Sequence, residues 1–187
     1  MPRRALAVLA LLSAAALALP RGAADEQDKL KVGVQPDGRI LVPTNQILSP
    51  AGRQVTFPGR PVDLLVIDGG RTLVAKNMRD LVFIDLATGA VKQTLALPAA
   101  AKGLAGAFSA VGLAVSDTRV FATDSQGAVR IAQCRFDGSF AWAGHFALKA
   151  PASGAAYPTG MALQGNKHLW VCSSRGNEVQ LMNLATG

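Results

Sequence analysis

Three glycines pace this chain: Gly89, Gly138 and Gly187 fall 49 residues apart, twice in succession, and each closes a turn written "LATG", "FDG" and again "LATG". Upstream of each glycine the same elements recur: an apolar run, a turn, a second apolar run, a polar turn and a third run that ends at the glycine. In the first copy these are "VDLLVI", "DGGR", "TLVA", "KNMRD" and "LVFIDLATG". In the second they are "VGLAV", "SDT", "RVFAT", "DSQG" and "AVRIAQCRFDG", and in the third "TGMAL", "QGNK", "HLWVC", "SSRGN" and "EVQLMNLATG". Short runs of Val, Leu, Ile and Phe bounded by Gly, Asn, Asp and Ser are strand and hairpin signals. A period of this length makes each copy one supersecondary unit that must bury its faces against its neighbours.

A fourth run follows the first two glycines, "AVKQTLAL" and "SFAWAGHFAL". Four antiparallel strands in a repeat of roughly 40 to 50 residues make one blade of a β-propeller. The two-sided apolar character of "LVFIDL" suits a sheet sandwiched between neighbours. A β-sandwich, the rival fold, has no reason to keep a 49-residue period. The expectation is therefore an all-β chain, a β-propeller of four-stranded antiparallel blades, incomplete at about three blades, with the third copy lacking its outer strand. "AAAKGLAGAF", Ala99 to Phe108, carries two glycines and no cap and reads as the loop between blades.

Residues 1–24 stand outside this pattern. Arg3 and Arg4 precede a run from Ala5 to Leu19 that is Ala, Leu and Val apart from Ser13, followed by Pro20 and "RGAA". This reads as a signal peptide cleaved after Ala24, with Ala16-Leu17-Ala18 as the other site. At ~1.5 Å per residue the apolar run would reach ~22 Å as a helix, short of the ~30 Å hydrocarbon core. No stable membrane span is expected, and the mature protein is read as exported, to the periplasm, the cell surface or the medium. Removing Arg3, Arg4 and Arg21 leaves sixteen cations against twelve acids, a net charge of +4 in place of +7. The remaining Lys and Arg are scattered singly, without the clustered cations and interleaved aromatics of a nucleic-acid binder, so no nucleic-acid partner is expected. Residues 25–59 read as a lead-in segment with part of a blade, and 60–187 as propeller blades cut before the last strand of the third. A chain stopping there reads as an amino-terminal fragment; the alternative is a short arc that oligomerises into a ring.

Candidate chemistry is sparse. His145 and His168, the two histidines, have no Asp, Glu or Cys at metal-ligand spacing. Cys134 and Cys172 lie on strands of different repeats and read as two buried free thiols, although export permits a disulfide. Ser173 and Ser174 sit in a hairpin turn without a Gly-x-Ser-x-Gly elbow. Asp37-Gly38, Asp68-Gly69 and Asp137-Gly138 read as turn signatures, and Trp170, in "HLWVC", as core. No catalytic, cofactor-binding or metal-ligating residue is assigned. An unidentified protein or small-molecule ligand would dock where the turns between second and third strands meet the connectors between blades, because strands fix such loops while leaving their sequence free. Those are Lys76–Asp80, Asp124–Gly127 and Ser174–Asn177, with connectors at Arg60 and Tyr157–Thr159.

"TLVAKNMRDLVFIDLATGAVKQTL" and "HLWVCSSRGNEVQLMNLATG" resemble the YVTN-type β-propeller repeats of secreted bacterial proteins. The preceding "VQPDGRILVPTNQILSPAGRQVTFPGRPVDL" resembles the amino-terminal part of bifunctional proteins in which such a propeller precedes an alkaline-phosphatase-like phosphoesterase domain. No copy has a full Tyr-Val-Thr-Asn; the equivalents are "LVAKN", "VFATD" and "LWVCS", and the second copy lacks "LATG". The resemblance implies a non-catalytic binding or scaffold module, with no cofactor of its own, whose parent would carry metal-dependent hydrolase chemistry in a carboxy-terminal domain absent here. The alternatives are a propeller enzyme of lactonase type and a cell-surface interaction protein without enzyme activity.

Overall fold

The computed structural model of this chain describes residues 29–98 and 107–187. The expected signal peptide and most of the expected Ala99–Phe108 loop fall outside the described residues. The chain divides into two compact units at Gly52–Arg53. In the first, three two-residue strands, β1 (Gly33–Val34), β2 (Ile40–Leu41) and β3 (Ile47–Leu48), form an antiparallel meander. Its first turn is the expected Asp37-Gly38 signature: Asp37 accepts the Arg39 backbone N–H at 3.1 Å and Gly38 takes φ +82°.

The second unit carries the repeat. Blade 1 is β4 (Asp63–Ile67), β5 (Thr72–Lys76), β6 (Asp80–Asp85) and β7 (Val91–Ala96). Blade 2 is β8 (Phe108–Ser116), β9 (Arg119–Asp124), β10 (Ala128–Cys134) and β11 (Phe140–Ala147). Blade 3 is β12 (Pro158–Gln164), β13 (His168–Ser173) and β14 (Glu178–Asn183). Each blade is an antiparallel meander in chain order. The 49-residue period has a backbone cause: Gly89, Gly138 and Gly187 take φ of +74°, +79° and +77°, values that only glycine adopts without cost. The two "LATG" turns close with Gly89 N–H to Asp85 O and Gly187 N–H to Asn183 O, both at 2.7 Å. The "FDG" turn is one residue tighter, Gly138 N–H bonding Arg135 O.

Alternation along each strand sends one set of side chains to each neighbour. Val74, Leu81 and Phe83 of blade 1 pack with Phe108, Val120 and Ala132 of blade 2, and Phe83 stacks on Phe140 with centroids 4.4 Å apart. Phe121 and Val129 of blade 2 pack with Leu169, Val171 and Met182 of blade 3. On the other side of blade 1, Val55 and Phe57 of the same unit lie against Ala75, Val82 and Ile84.

Side-chain amides stitch the same interfaces. The Gln93 amide donates to Phe140 O at 2.7 Å and accepts its N–H at 2.8 Å, acting as one rung of ladder between outer strands of different sheets. Gln180 does the same with the backbone of Lys149, both bonds at 2.9 Å. Replacing Gln93 by Ala is expected to lower stability by about 1–3 kcal/mol, since it leaves two backbone groups of a partly buried joint without their partner. Urea denaturation reads this as a lower midpoint with an unchanged slope.

Candidate binding cleft and loop face

The expected loop face exists, but much of it is turned inward. The β5–β6, β9–β10 and β13–β14 turns do meet the connectors: Met78 O accepts the Phe108 N–H, Ala107 O accepts that of Ser125, and Tyr157 O accepts that of Ser174. Asn77, Asp124 and Ser173, the last residues of "LVAKN", "VFATD" and "LWVCS", are all buried, and their polar atoms are consumed locally. Asn77 donates to Pro58 O and accepts the Arg60 N–H, so it fixes the chain entering blade 1. Asp124 accepts the Gln126 and Ala128 N–H groups and pairs with Arg130 at 2.6 Å. The Ser173 hydroxyl donates to Ala156 O in the connector entering blade 3. The side chains left exposed are Arg60, Met78, Arg79, Gln126, Ser174, Arg175 and Asn177. Arg175 lies 5.2 Å from the Tyr157 ring centroid, and Tyr157 holds φ +52°, unusual for an aromatic residue.

Lys76, expected in solvent as part of the docking turn, is 0% exposed. Its ammonium donates to Thr123 Oγ1 at 2.8 Å, Val111 O at 2.9 Å and Ser109 Oγ at 3.2 Å, all in blade 2. The Phe108 ring centroid lies 5.4 Å away. Ser109 and Val111 belong to a bulge in β8, where the register with β9 breaks between Phe108 and Leu113, and Thr123 stands on β9 beside it. Burial pushes the lysine down to about 7, against the pull of Asp63 and Asp124. Asp63 belongs to the same joint: its carboxylate accepts the Gly112 N–H across the blade boundary at 2.8 Å. Strand pattern could not reveal this, because every partner of Lys76 sits in another repeat.

Two further expectations are corrected. Cys134 and Cys172 are free thiols, but Cys134 is half-buried and Cys172 exposed. Trp170 is 41% exposed: it lies on the face of blade 3 turned away from blade 2, and its indole N–H donates to Gln164 Oε1 at 3.0 Å.

At the opposite end of the blades a cleft of about 610 Å³ opens between blades 1 and 2. Ile67, Phe83, Val115 and Phe140 make its apolar floor, and Lys92 and Arg135 stand on its rim with Asp68, Asp117 and Asp137. Two of the acids are already engaged. The Arg71 guanidinium 2.5 Å from Asp68 holds that carboxyl below its ordinary range, and the Ser139 hydroxyl and N–H do the same for Asp137. Asp117, 49 residues beyond Asp68, repeats its left-handed backbone at φ +49° and accepts a bond from Asn166, 49 residues further on. With the Ser116 hydroxyl also bonding Asn166, polar side chains tie the inner hairpin of blade 2 to that of blade 3. A site of this volume with an apolar floor and a few convergent polar groups is sized for a small molecule.

Stacked four-stranded meanders joined face to face at a fixed interval define this chain as a β-propeller. Solved structures agree. The chain is similar to a streptogramin B lyase, at 16% identity and TM-score 0.50 over 79% of this chain and 44% of that one. It is also similar to a functionally unknown protein from Desulfotomaculum acetoxidans, at 14% identity and TM-score 0.52 over 74% and 41%. A third likeness is to Kuenenia stuttgartiensis hydrazine synthase, at 16% identity and TM-score 0.50 over 72% and 37%. These likenesses are of fold alone, and the chain spans less than half the length of each. No family model and no curated protein matches the sequence. No helix among the described residues is long and apolar enough to cross a membrane. Nor does any group of three or more His, Cys, Asp and Glu come together among them in a way that could hold a metal ion.

Proposed function

We propose that this chain is a binding or scaffold module of an exported protein, without catalysis of its own, that holds a small ligand in the cleft between blades 1 and 2. The cleft carries the proposal: an apolar floor held rigid by two stacked sheets, with Lys92 and Arg135 at its rim. The ligand it suits has an apolar, flat body and an anionic group. The charges at the other end of the blades support the same reading, because Lys76, Asp63 and Asp124 are occupied in joining blades or turns. The resemblance to propellers that precede a phosphoesterase domain supports a partnership with hydrolase chemistry located outside these residues.

Two measurements test this. Titrating the chain with aryl carboxylates and aryl sulfonates should shift the amide resonances of Phe140, Lys92 and Arg135, and Lys92→Ala with Arg135→Ala should weaken binding about tenfold or more, as expected for the loss of charge-assisted bonds. Shifts spread evenly over the blades, or confined elsewhere, would remove the cleft from the account. Separately, chromogenic phosphomonoesters and phosphodiesters with zinc, magnesium or calcium should turn over no faster than in a metal-only control. Turnover above it, abolished by a point change within the blades, would show an active site in what is read as a set of turns.

A further inference from the structure

On the loop face the turns between second and third strands and the connectors between blades are bonded into one continuous row. Met78 O of the blade 1 turn takes the Phe108 N–H at 2.8 Å, Ala107 O takes that of Ser125 in the blade 2 turn at 3.0 Å, and Gly127 O takes that of Leu148 at 2.9 Å. The row ends where Ala156 O and Tyr157 O take the Arg175 and Ser174 N–H groups of the blade 3 turn, both at 3.2 Å. Its charges are one-sided. Arg60, Arg79, Lys149 and Arg175 stand exposed along it, and Glu178, at the start of β14, is the one exposed acid beside them among the described residues. That carboxylate already accepts the Gln180 amide at 2.7 Å. Asp63, Asp80 and Asp124 are drawn inward onto Gly112, Asn77 and Arg130. None of the four cations is in an ion pair among the described residues.

Arg175 is also held in place. Its backbone is fixed on Ala156 and its guanidinium lies 5.2 Å from the Tyr157 ring centroid, while Tyr157 keeps φ +52° directly before Pro158. A bulky residue in that left-handed region is strained by of order 1 kcal/mol or more. We propose that this row is a docking surface for an extended, Asp- and Glu-rich segment of a partner protein. The planar fork of arginine fits a carboxylate with two parallel bonds, and three of the four cations are arginines. Stacked sheets stand ~10 Å apart, so Arg79 in blade 1 and Arg175 in blade 3 are separated by roughly 20 Å, about six residues of extended chain at ~3.3 Å each. A single small anion cannot bridge them. A lipid surface is disfavoured, because Met78 is the one large apolar side chain exposed on the described turns and connectors. Nucleic acid is disfavoured too, since Arg175 occupies the face of Tyr157 on which a base would stack. The row lies at the opposite end of the blades from the cleft, and neither site needs the other.

The full chain is titrated into a fluorescently labelled peptide of alternating Glu and Ser, long enough to span the row, and followed by anisotropy. Binding should saturate, weaken as salt rises and vanish for the matching Gln-Ser peptide. Arg79→Gln with Arg175→Gln should weaken it about tenfold or more, as expected for the loss of charge-assisted bonds. Both side chains are exposed, so circular dichroism should report an unchanged fold. Lys167→Gln removes an exposed cation from the far end of the blades and should bind as the unsubstituted chain does. Absence of binding to the Glu-Ser peptide, an equal loss from Lys167→Gln, or tighter binding to a single-stranded oligonucleotide or to phosphatidylglycerol vesicles at the same salt would each overturn the proposal.

Discussion

Gly112→Ala is expected to lower the stability of the blades by roughly 3–5 kcal/mol, combining backbone strain with overpacking at a site that cannot relax. A Cβ at Gly112 would lie 2.2 Å from Thr159 O and 2.4 Å from Thr123 Oγ1. The first of these is backbone of blade 3, held where β12 itself bulges between Pro158 and Met161, so making room means moving a strand. The backbone at φ +115° adds strain for any side chain. Gly112 also donates its N–H to Asp63, and its carbonyl faces the Lys76 ammonium at 3.4 Å, so displacement disturbs all three blades. Gly138→Ala is the matched control: φ is +79° there, but a Cβ would meet nothing within 4 Å. It should cost only about 1 kcal/mol of conformational strain. Denaturant unfolding of the pair separates them, and equal losses would mean that the close approach of blades 2 and 3 at Gly112 is absent.

The second large effect belongs to Lys76. Buried in the folded chain it titrates near 7, and in the unfolded chain near its ordinary 10.5. Below pH 7 the lysine is charged in both states and the cost of burying the charge is fully felt. Between pH 7 and 10.5 the unfolded chain binds a proton that the folded chain does not, so stability rises with pH through this window, by up to about 1.4 kcal/mol per unit. Asp63 and Asp124, the charged groups facing it, favour the ammonium and limit the gain. Lys76→Met should therefore be as stable as the unsubstituted chain or more so near pH 6, by up to a few kcal/mol, and should flatten the rise above pH 7. The acceptors it leaves behind are not orphaned: Ser109 Oγ and Thr123 Oγ1 bond each other and Val111 O. Thermal melts of both proteins from pH 6 to 10 decide the matter. A large loss on Lys76→Met at every pH would instead make the ammonium a net stabilising staple.

What could be read from the sequence was local. The positive φ that forces glycine at positions 89, 138 and 187 leaves its mark in the residue itself, and so does the two-sided apolar run of "LVFIDL", buried on both faces. The turn roles of Asp37 and Asp137 were legible for the same reason, since each bonds a backbone N–H two residues on. What could not be read depends on another repeat. Lys76 reads as solvent-facing until the β8 bulge and Thr123 of β9 supply its oxygens. Trp170 reads as core from its apolar company in "HLWVC", yet it lies on the opposite face from Leu169 and Val171 and stands 41% exposed. The cleft has no motif at all: its lining gathers residues from two repeats, at hairpins whose sequences say only turn.

The account rests on blades locked together by polar groups that cross their boundary, and the amide of Gly112 reports on that lock directly. It bonds the Asp63 carboxylate of the preceding blade, and lies within the β8 bulge where the ladder to β9 is broken. Hydrogen exchange followed by NMR should find this amide protected nearly as well as the ladder amides of β9. In Asp63→Ala it should exchange at the rate of an exposed loop while the β9 amides keep most of their protection. Rapid exchange of Gly112 in the unsubstituted chain would contradict the interlocked stack from which both the cleft and the loop face are read.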